Sequence, residues 1–321
     1  MPGTSDLIQS EPVTGRMTGT MAVIPADKIL GATRDDLVER VRAACLDPGF
    51  LVIDLDEQMQ TSITATIKQM RSFFALNDDH AIKRAVRQDG SRNGWQPRYS
   101  EPAYQPGTVS NLEAYDLGIH EVLASNDECW PDMPDFRATV CQCWDRYLEL
   151  ADAALRLIAQ AAELDTDFLV DRCGTRELNS FRLLHYPEDM TASRKEDVGI
   201  SAHTDFECIT LLYQDSLGLE LRTTDGRWID ADNGTGRIIV MLDDMLERWT
   251  NGEFSATGHR VRQTGEQRFS IVMFMAVDDG LDIAPLDQFT SENNPPRYPP
   301  VTQAAHLDAE IRRAIENAEQ N

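Results

Sequence analysis

Two histidines and one aspartate define the chemistry this sequence can do. His203-Thr204-Asp205 stands just before the apolar run Cys208–Tyr213. In extended chain, side chains two apart face the same way, so the His203 imidazole and the Asp205 carboxylate can grip one metal ion from one side. His259, in Gly258-His259-Arg260-Val261, lies on another predicted strand and offers a third ligand. Two imidazoles and one carboxylate form a facial ligand set that suits Fe(II) and leaves coordination positions open. A His-x-Asp pair standing alone also has a plainer reading, an accidental pairing on a strand.

A second group lies on the run Arg268–Val277. Its alternation puts Arg268, Ser270, Val272 and Phe274 on one face and Phe269, Ile271, Met273 and Met275 on the other. An Arg and a hydroxyl therefore face inward beside bulky apolar groups. A buried guanidinium needs an anionic partner. That partner is either an internal Asp or Glu, or one end of a diacid cosubstrate whose other end chelates iron.

Elements with legible patterns must position these residues. Thr33 and Asp36 read as a capping box for a helix over 34–47, which Pro48-Gly49 stops. Residues 50–54 read as a buried strand. Met59, Ile63, Ile67, Met70 and Phe73 form the apolar stripe of a helix over 57–76, and Trp144, Leu148, Ala151, Leu155, Ile158 and Ala162 that of one over 135–163. Residues 88–116 contain Gly90, Gly94, Pro97, Pro102, Pro106 and Gly107 and read as a long irregular segment. After about residue 178 come short β-rich runs at 178–186, 207–213, 217–222, 227–230, 237–242, 258–263 and 268–277, separated by turn signals. Such spacing predicts a sandwich or small barrel. A polar helix over 305–319 follows.

The 321 residues carry 54 acidic against 30 basic side chains, a net charge of -24, which disfavours nucleic acid and anionic membrane surfaces as partners. Mean hydropathy is -0.39 and no apolar run is long enough to span a membrane. The six cysteines are scattered with no CxxC pair, and Met1–Met21 has no apolar core, so the expected location is cytoplasmic with reduced thiols. Cys208 reads as core packing. Lysine occurs only at 28, 68, 83 and 195, a bias toward Arg that points to a GC-rich bacterial genome.

Three motifs in order, His203-Thr-Asp205-Phe-Glu-Cys-Ile-Thr210, Asn251-Gly-Glu-Phe-Ser-Ala-Thr-Gly-His259-Arg-Val and Arg268-Phe-Ser270, resemble the isopenicillin N synthase-like branch of the Fe(II)/2-oxoglutarate oxygenases. Leu183-Leu-His-Tyr-Pro187, Asp47-Pro-Gly-Phe-Leu51 and Asn111-Leu-Glu-Ala-Tyr-Asp116 extend the resemblance over about 22–305. It implies a mixed α/β chain with a mostly β core, a distorted double-stranded β-helix (jelly roll) flanked by helices. Residues 1–20 are expected to be a flexible N-terminus and 21–321 a single oxygenase domain, with a mainly helical part over 21–177, the jelly-roll core with the metal site over 178–280, and a C-terminal segment and helix over 281–321.

The resemblance also implies His203, Asp205 and His259 as iron ligands, Arg268 and Ser270 as binders of the distal 2-oxoglutarate carboxylate, and Tyr186 as a cosubstrate contact. Leu184 departs from the family's Asn at its position. The implied cofactors are Fe(II), 2-oxoglutarate and O₂. The implied activity is hydroxylation or desaturation of an unactivated C–H bond of a small metabolite, with release of succinate and CO₂, in bacterial specialised metabolism such as antibiotic biosynthesis. Arg92, Asn93, Trp95, Arg98, Tyr104 and Phe274 are candidate substrate contacts, and a monomer or small homo-oligomer is expected. Two other readings stand: a 2-oxoglutarate-independent Fe(II) oxidase of the isopenicillin N synthase type, and a jelly-roll binding module without turnover.

Overall fold

Runs apolar at every position become strands buried on both faces. The computed structural model describes residues 23–31, 35–88, 93–102, 104–124, 129–188, 197–231 and 236–319. The expected flexible N-terminus (1–20), Thr33 of the capping box, and Arg92 lie outside them. Among these residues the strands are β1 (Val23–Pro25), β2 (Phe50–Asp54), β3 (Gly94–Gln96), β4 (Val109–Ser110), β5 (Glu113–Leu117), β6 (Ser180–Tyr186), β7 (Asp197–Val198), β8 (Ile200–His203), β9 (Ile209–Gln214), β10 (Leu219–Arg222), β11 (Trp228–Asp230), β12 (Arg237–Leu242), β13 (His259–Val261) and β14 (Arg268–Met275).

Eight of these strands form one large sheet in the order β1-β2-β12-β9-β14-β6-β5-β3, and four form a smaller sheet, β11-β10-β13-β8. Alternation along each strand of the large sheet divides two cores. Phe50, Val52, Leu184, Tyr186, Leu212, Met241 and Val272 face inward, where they meet Ile200, Leu219, Leu221 and Val261 of the smaller sheet. Leu51, Ile53, Leu183, Leu211, Val240, Ile271 and Met273 face outward and pack under the helices. Each fully buried side chain of this size contributes about 1.5–3 kcal/mol.

The helix Glu57–Phe74 starts where Asp56 accepts a bond from the Met59 N–H at 2.8 Å. It and the helix Asp35–Leu46 pack on the helix Phe136–Ala161, which lies in the outer core. Gly49, at φ 95°, takes the turn from the helix Asp35–Leu46 into β2. The helix Gln303–Glu319 is tied to the sheets by Gln303, which accepts from Val277 N–H at 3.1 Å and donates to Phe206 C=O at 2.9 Å. No helix among the described residues is long and apolar enough to cross a membrane.

The segment 88–116 departs from its expected irregularity. Gly94–Gln96 pairs with Glu113–Leu117, which pairs in turn with β6, so this stretch completes the large sheet. Gly94 opens β3 itself, and Pro97, Pro102, Pro106 and Gly107 lie between β3 and β4, strands too short to show a period.

Candidate active site

The two histidines meet across a strand pair. His203 ends β8, His259 begins β13, and they are register partners with ring centroids 4.2 Å apart. Asp205 stands in the turn after β8, its Oδ1 3.5 Å from His203 Nε2 and 3.6 Å from His259 Nε2. All three are buried, and one ligand atom from each lies within 4.8 Å of the others.

Backbone contacts set the ring orientation. His203 Nδ1 is 2.8 Å from Ser201 C=O, and His259 Nδ1 is 3.1 Å from Thr257 C=O. A carbonyl only accepts, so each Nδ1 carries the proton and each Nε2 points its lone pair at the common centre. Burial pulls His259 down to about 4, which keeps the ring neutral and available to a metal. Burial opposes the charge of Asp205, yet the facing imidazoles of His259 and His203 hold it below the usual carboxylate range. Its Oδ2 is buried and has no hydrogen-bond partner among the described residues. An unpaired buried carboxylate oxygen beside two aligned imidazole lone pairs fits a divalent cation.

On the opposing sheet, Arg268 is buried with its guanidinium carbon 4.5 Å from the Tyr186 ring centre. Its Nη2 donates to Gln214 Oε1 at 2.9 Å, and its Nε approaches Gln214 Oε1 and Ser216 C=O at 3.3 Å. No Asp or Glu hydrogen-bonds Arg268 among the described residues, so the internal-partner reading falls. Its Nη1 and the Ser270 hydroxyl are both buried without hydrogen-bond partners among the described residues. Two unpaired donors on the same face of one strand fit one carboxylate.

Between the two sheets lies a cavity of about 400 Å³ that reaches the triad. Tyr186, Leu184, Val272 and Phe274 line it from the large sheet, and Leu307, Ile311 and Ala314 from the helix Gln303–Glu319. Asn93 and Tyr104 line it too, and Tyr104 stacks on His203.

Two candidate substrate contacts are corrected. Trp95 points to the opposite face of β3, fully buried in the outer core, where its indole N–H donates to Glu113 at 2.8 Å. Arg98 donates to Asn111 at 2.7 Å and does not line the cavity.

Several cavity residues escaped the sequence reading. Arg182 donates from Nε to Asp116 at 2.8 Å, and from Nη2 to Glu101 at 2.8 Å and Gln96 at 3.0 Å. Burial raises Asp116; at Glu101 burial acts in the same direction, but Arg182 outweighs it and holds that carboxyl low. Glu207 accepts from Phe206 N–H at 3.0 Å, and burial together with the charge of Asp205 pushes it up to about 8. Arg182 shares the inward parity of Tyr186 on β6, a signal that was readable. The pairing of Arg182 with Glu101 spans 81 positions and was not.

Comparison with known proteins agrees with this architecture. Residues 178–277 match the 2OG-Fe(II) oxygenase superfamily, and residues 22–133 match the N-terminal region described as non-haem dioxygenase in morphine synthesis. The 2-oxoglutarate-dependent dioxygenase citB of Monascus ruber is 30% identical over 280 residues, 78% of this chain and 82% of the relative. A 2OG-Fe(II) oxygenase family protein from Caulobacter crescentus superposes with a TM-score of 0.75 at 26% identity, covering 91% of this chain and 99% of the other. A Neurospora crassa protein solved in complex with alpha-KG and thymine gives 0.76 at 22% identity, covering 92% and 96%. The paired sheets are thus the double-stranded β-helix of the 2-oxoglutarate oxygenases. The chain belongs to the 2OG-Fe(II) oxygenase superfamily, whose enzymes use Fe(II) and 2-oxoglutarate.

Proposed function

We propose that His203, Asp205 and His259 hold the Fe(II), that Arg268 and Ser270 take the distal carboxylate of 2-oxoglutarate beside Tyr186, and that a small molecule in the cavity is hydroxylated or desaturated at an unactivated C–H bond. The observation that carries this reading is the pair of unpaired buried donors, Arg268 Nη1 and Ser270 Oγ, on the sheet facing the triad. Bound Fe(II) with 2-oxoglutarate and O₂ supplies the oxidising power, with succinate and CO₂ as coproducts.

The chain's own groups bind and orient. Ser201 and Thr257 carbonyls fix the imidazole tautomers. Gln214 holds one edge of the Arg268 guanidinium and leaves the other edge for the cosubstrate. Leu184, Val272, Phe274 and the helix Gln303–Glu319 wall the cavity with apolar surface that excludes bulk water.

We read residues 21–321 as one oxygenase domain, because β2, β3 and β5 from the N-terminal part complete the sheet that holds β6, β9 and β14. Six free cysteines support a reducing, cytoplasmic setting, and the low lysine content supports a GC-rich bacterial source. The Neurospora crassa protein in complex with thymine is a precedent for a small-molecule substrate in this fold. Succinate release from 2-oxoglutarate across a library of small metabolites, with Fe(II) and O₂, tests the proposal. Succinate formation stimulated by some of them is expected; none with any compound would count against it.

A further inference from the structure

Asp243 precedes a short helix, Asp244–Trp249, at a position where an Asp side chain ordinarily caps the first backbone N–H groups. Here it makes no such bond. The backbone N–H groups are taken by another segment: Asp243 N–H donates to Cys208 C=O at 3.2 Å, Asp244 N–H to Asp205 C=O at 3.1 Å, and Met245 N–H to Glu207 C=O at 2.9 Å. The start of the helix is thus fastened to the turn that carries Asp205. The Asp243 side chain is buried, with Oδ2 2.9 Å from Thr210 Oγ1 and Oδ1 without a hydrogen-bond partner among the described residues.

Thr210, the second residue of β9, is fully buried, and its hydroxyl also reaches the Asp205 carboxylate. One hydroxyl therefore stands between two buried carboxyl groups, and no Lys or Arg pairs with either among the described residues. A hydroxyl has a single hydrogen to give and lone pairs to receive. Asp205 carries the charge that a cation needs, and two buried carboxyl groups flanking one hydroxyl do not both ionise readily. Burial and the charges of Asp205 and Glu207 raise Asp243 well above the usual carboxylate range. A neutral Asp243 carboxyl donates to Thr210 Oγ1, which leaves the Thr210 hydrogen for Asp205.

We propose that Asp243 is a positioning residue for the metal: through the Thr210 hydroxyl it fixes the rotation of the Asp205 carboxylate, so that this group meets the cation together with His203 and His259. The proposal rests on the oxygenase reading above and adds to its metal site two residues that do not line the cavity. Each histidine has a backbone carbonyl that sets its ring, Ser201 for His203 and Thr257 for His259. Asp205 has the Thr210 hydroxyl for the same task.

The test is anaerobic titration of Fe(II) into the full chain, for wild type, Thr210→Val, Thr210→Ser, Asp243→Ala, Asp243→Asn and the double variant Thr210→Val/Asp243→Ala. Circular dichroism checks that each is folded. Thr210→Val and Asp243→Ala should each weaken Fe(II) binding by about tenfold or more, the scale for groups that orient a ligand. Thr210→Ser keeps the hydroxyl and Asp243→Asn keeps a neutral donor, so both should stay near wild type. Because the two residues act in one chain, the double variant should bind no more weakly than the weaker single variant. Two residues that only pack the core would instead multiply their losses, to about a hundredfold. The visible absorption of bound Co(II), which follows the ligand geometry, should change in Thr210→Val and Asp243→Ala and not in the two conservative variants. Multiplied losses, or Asp243→Asn as weak as Asp243→Ala, overturns the proposal. If Asp243→Ala does not fold, the contrast of Thr210→Val with Thr210→Ser and the affinity of Asp243→Asn decide it. Wild type that binds Fe(II) no more tightly than Thr210→Val overturns this proposal and leaves the oxygenase reading in place. Wild type that binds no Fe(II) overturns both.

Discussion

The imidazole of His203 lies flat against the ring of Tyr104, with centroids 4.2 Å apart and planes 7° from parallel. The Tyr104 hydroxyl donates to Glu101 at 3.1 Å, and Glu101 pairs with Arg182. Tyr104 thus joins the polar wall of the cavity to a proposed metal ligand through one rigid side chain.

This junction separates two variants. Tyr104→Phe keeps the stacking and loses only the bond to Glu101, so iron affinity should hold. Tyr104→Ala loses the ring as well and frees the His203 imidazole to tilt, and iron affinity should drop by about tenfold, as for other groups that orient a ligand. Iron titration of both variants checks this. Equal affinities in the two would remove the orienting role of the ring.

Arg268→Lys keeps a charge but loses the planar fork that meets a carboxylate edge-on. The apparent KM for 2-oxoglutarate should rise by about tenfold or more, since about 1.4 kcal/mol corresponds to a factor of ten. Initial rates of succinate release against 2-oxoglutarate concentration give the number. A KM unchanged from wild type would move the cosubstrate away from Arg268.

Much of this site was legible because strands have a period of two. The alternation of Arg268, Ser270, Val272 and Phe274 against Phe269, Ile271, Met273 and Met275 was readable from sequence and divides the two cores of the fold. The triad was legible because His203 and Asp205 are two apart and His259 lies on a recognisable strand. Trp95 was misread as a cavity residue because β3 is three residues long, too short to reveal which face is buried. The partners of Arg182 come from β3, β5 and the turn at Glu101, and nothing local marks contacts of such long range. Glu207 lies in the turn between β8 and β9, where no alternation holds, and only the cavity itself distinguishes it from a solvated acid.

Behind the site, Lys83 is 1% exposed and its Nζ lies 2.8 Å from Glu113 Oε2. Glu113 also accepts from the Trp95 indole at 2.8 Å and contacts His185 Nδ1 at 2.8 Å. Removing one member of a buried ion pair strands the other charge, at a cost of about 3–5 kcal/mol. Lys83→Met should therefore lower the unfolding free energy by that amount in urea titrations. A loss under about 1 kcal/mol, the scale of exposed pairs, would mean that solvent reaches Glu113.

Burial pushes the thiols of Cys45 and Cys143 from their ordinary 9.0 up to about 12. Below pH 9 both states keep the proton and the contribution is full. Above it the unfolded chain releases protons that the folded chain retains, so stability falls as pH rises toward 12. The slope is about 1.4 kcal/mol per pH unit for each thiol. Urea midpoints at pH 8 and pH 10 should show a shallower decline in Cys143→Ala than in wild type. Parallel declines would place the titration elsewhere.

The most direct measurement compares wild type with Asp205→Ala for bound iron and for succinate formed from 2-oxoglutarate in the presence of Fe(II) and O₂. Asp205 supplies the one anionic donor of the triad, and its buried Oδ2 has no hydrogen-bond partner among the described residues. Wild type should bind one iron per chain and release succinate, and Asp205→Ala should lose most of the iron and nearly all of the succinate while keeping its circular dichroism spectrum. A folded Asp205→Ala variant with near-normal iron and succinate, or a wild-type enzyme that consumes O₂ without need of 2-oxoglutarate, would contradict the account.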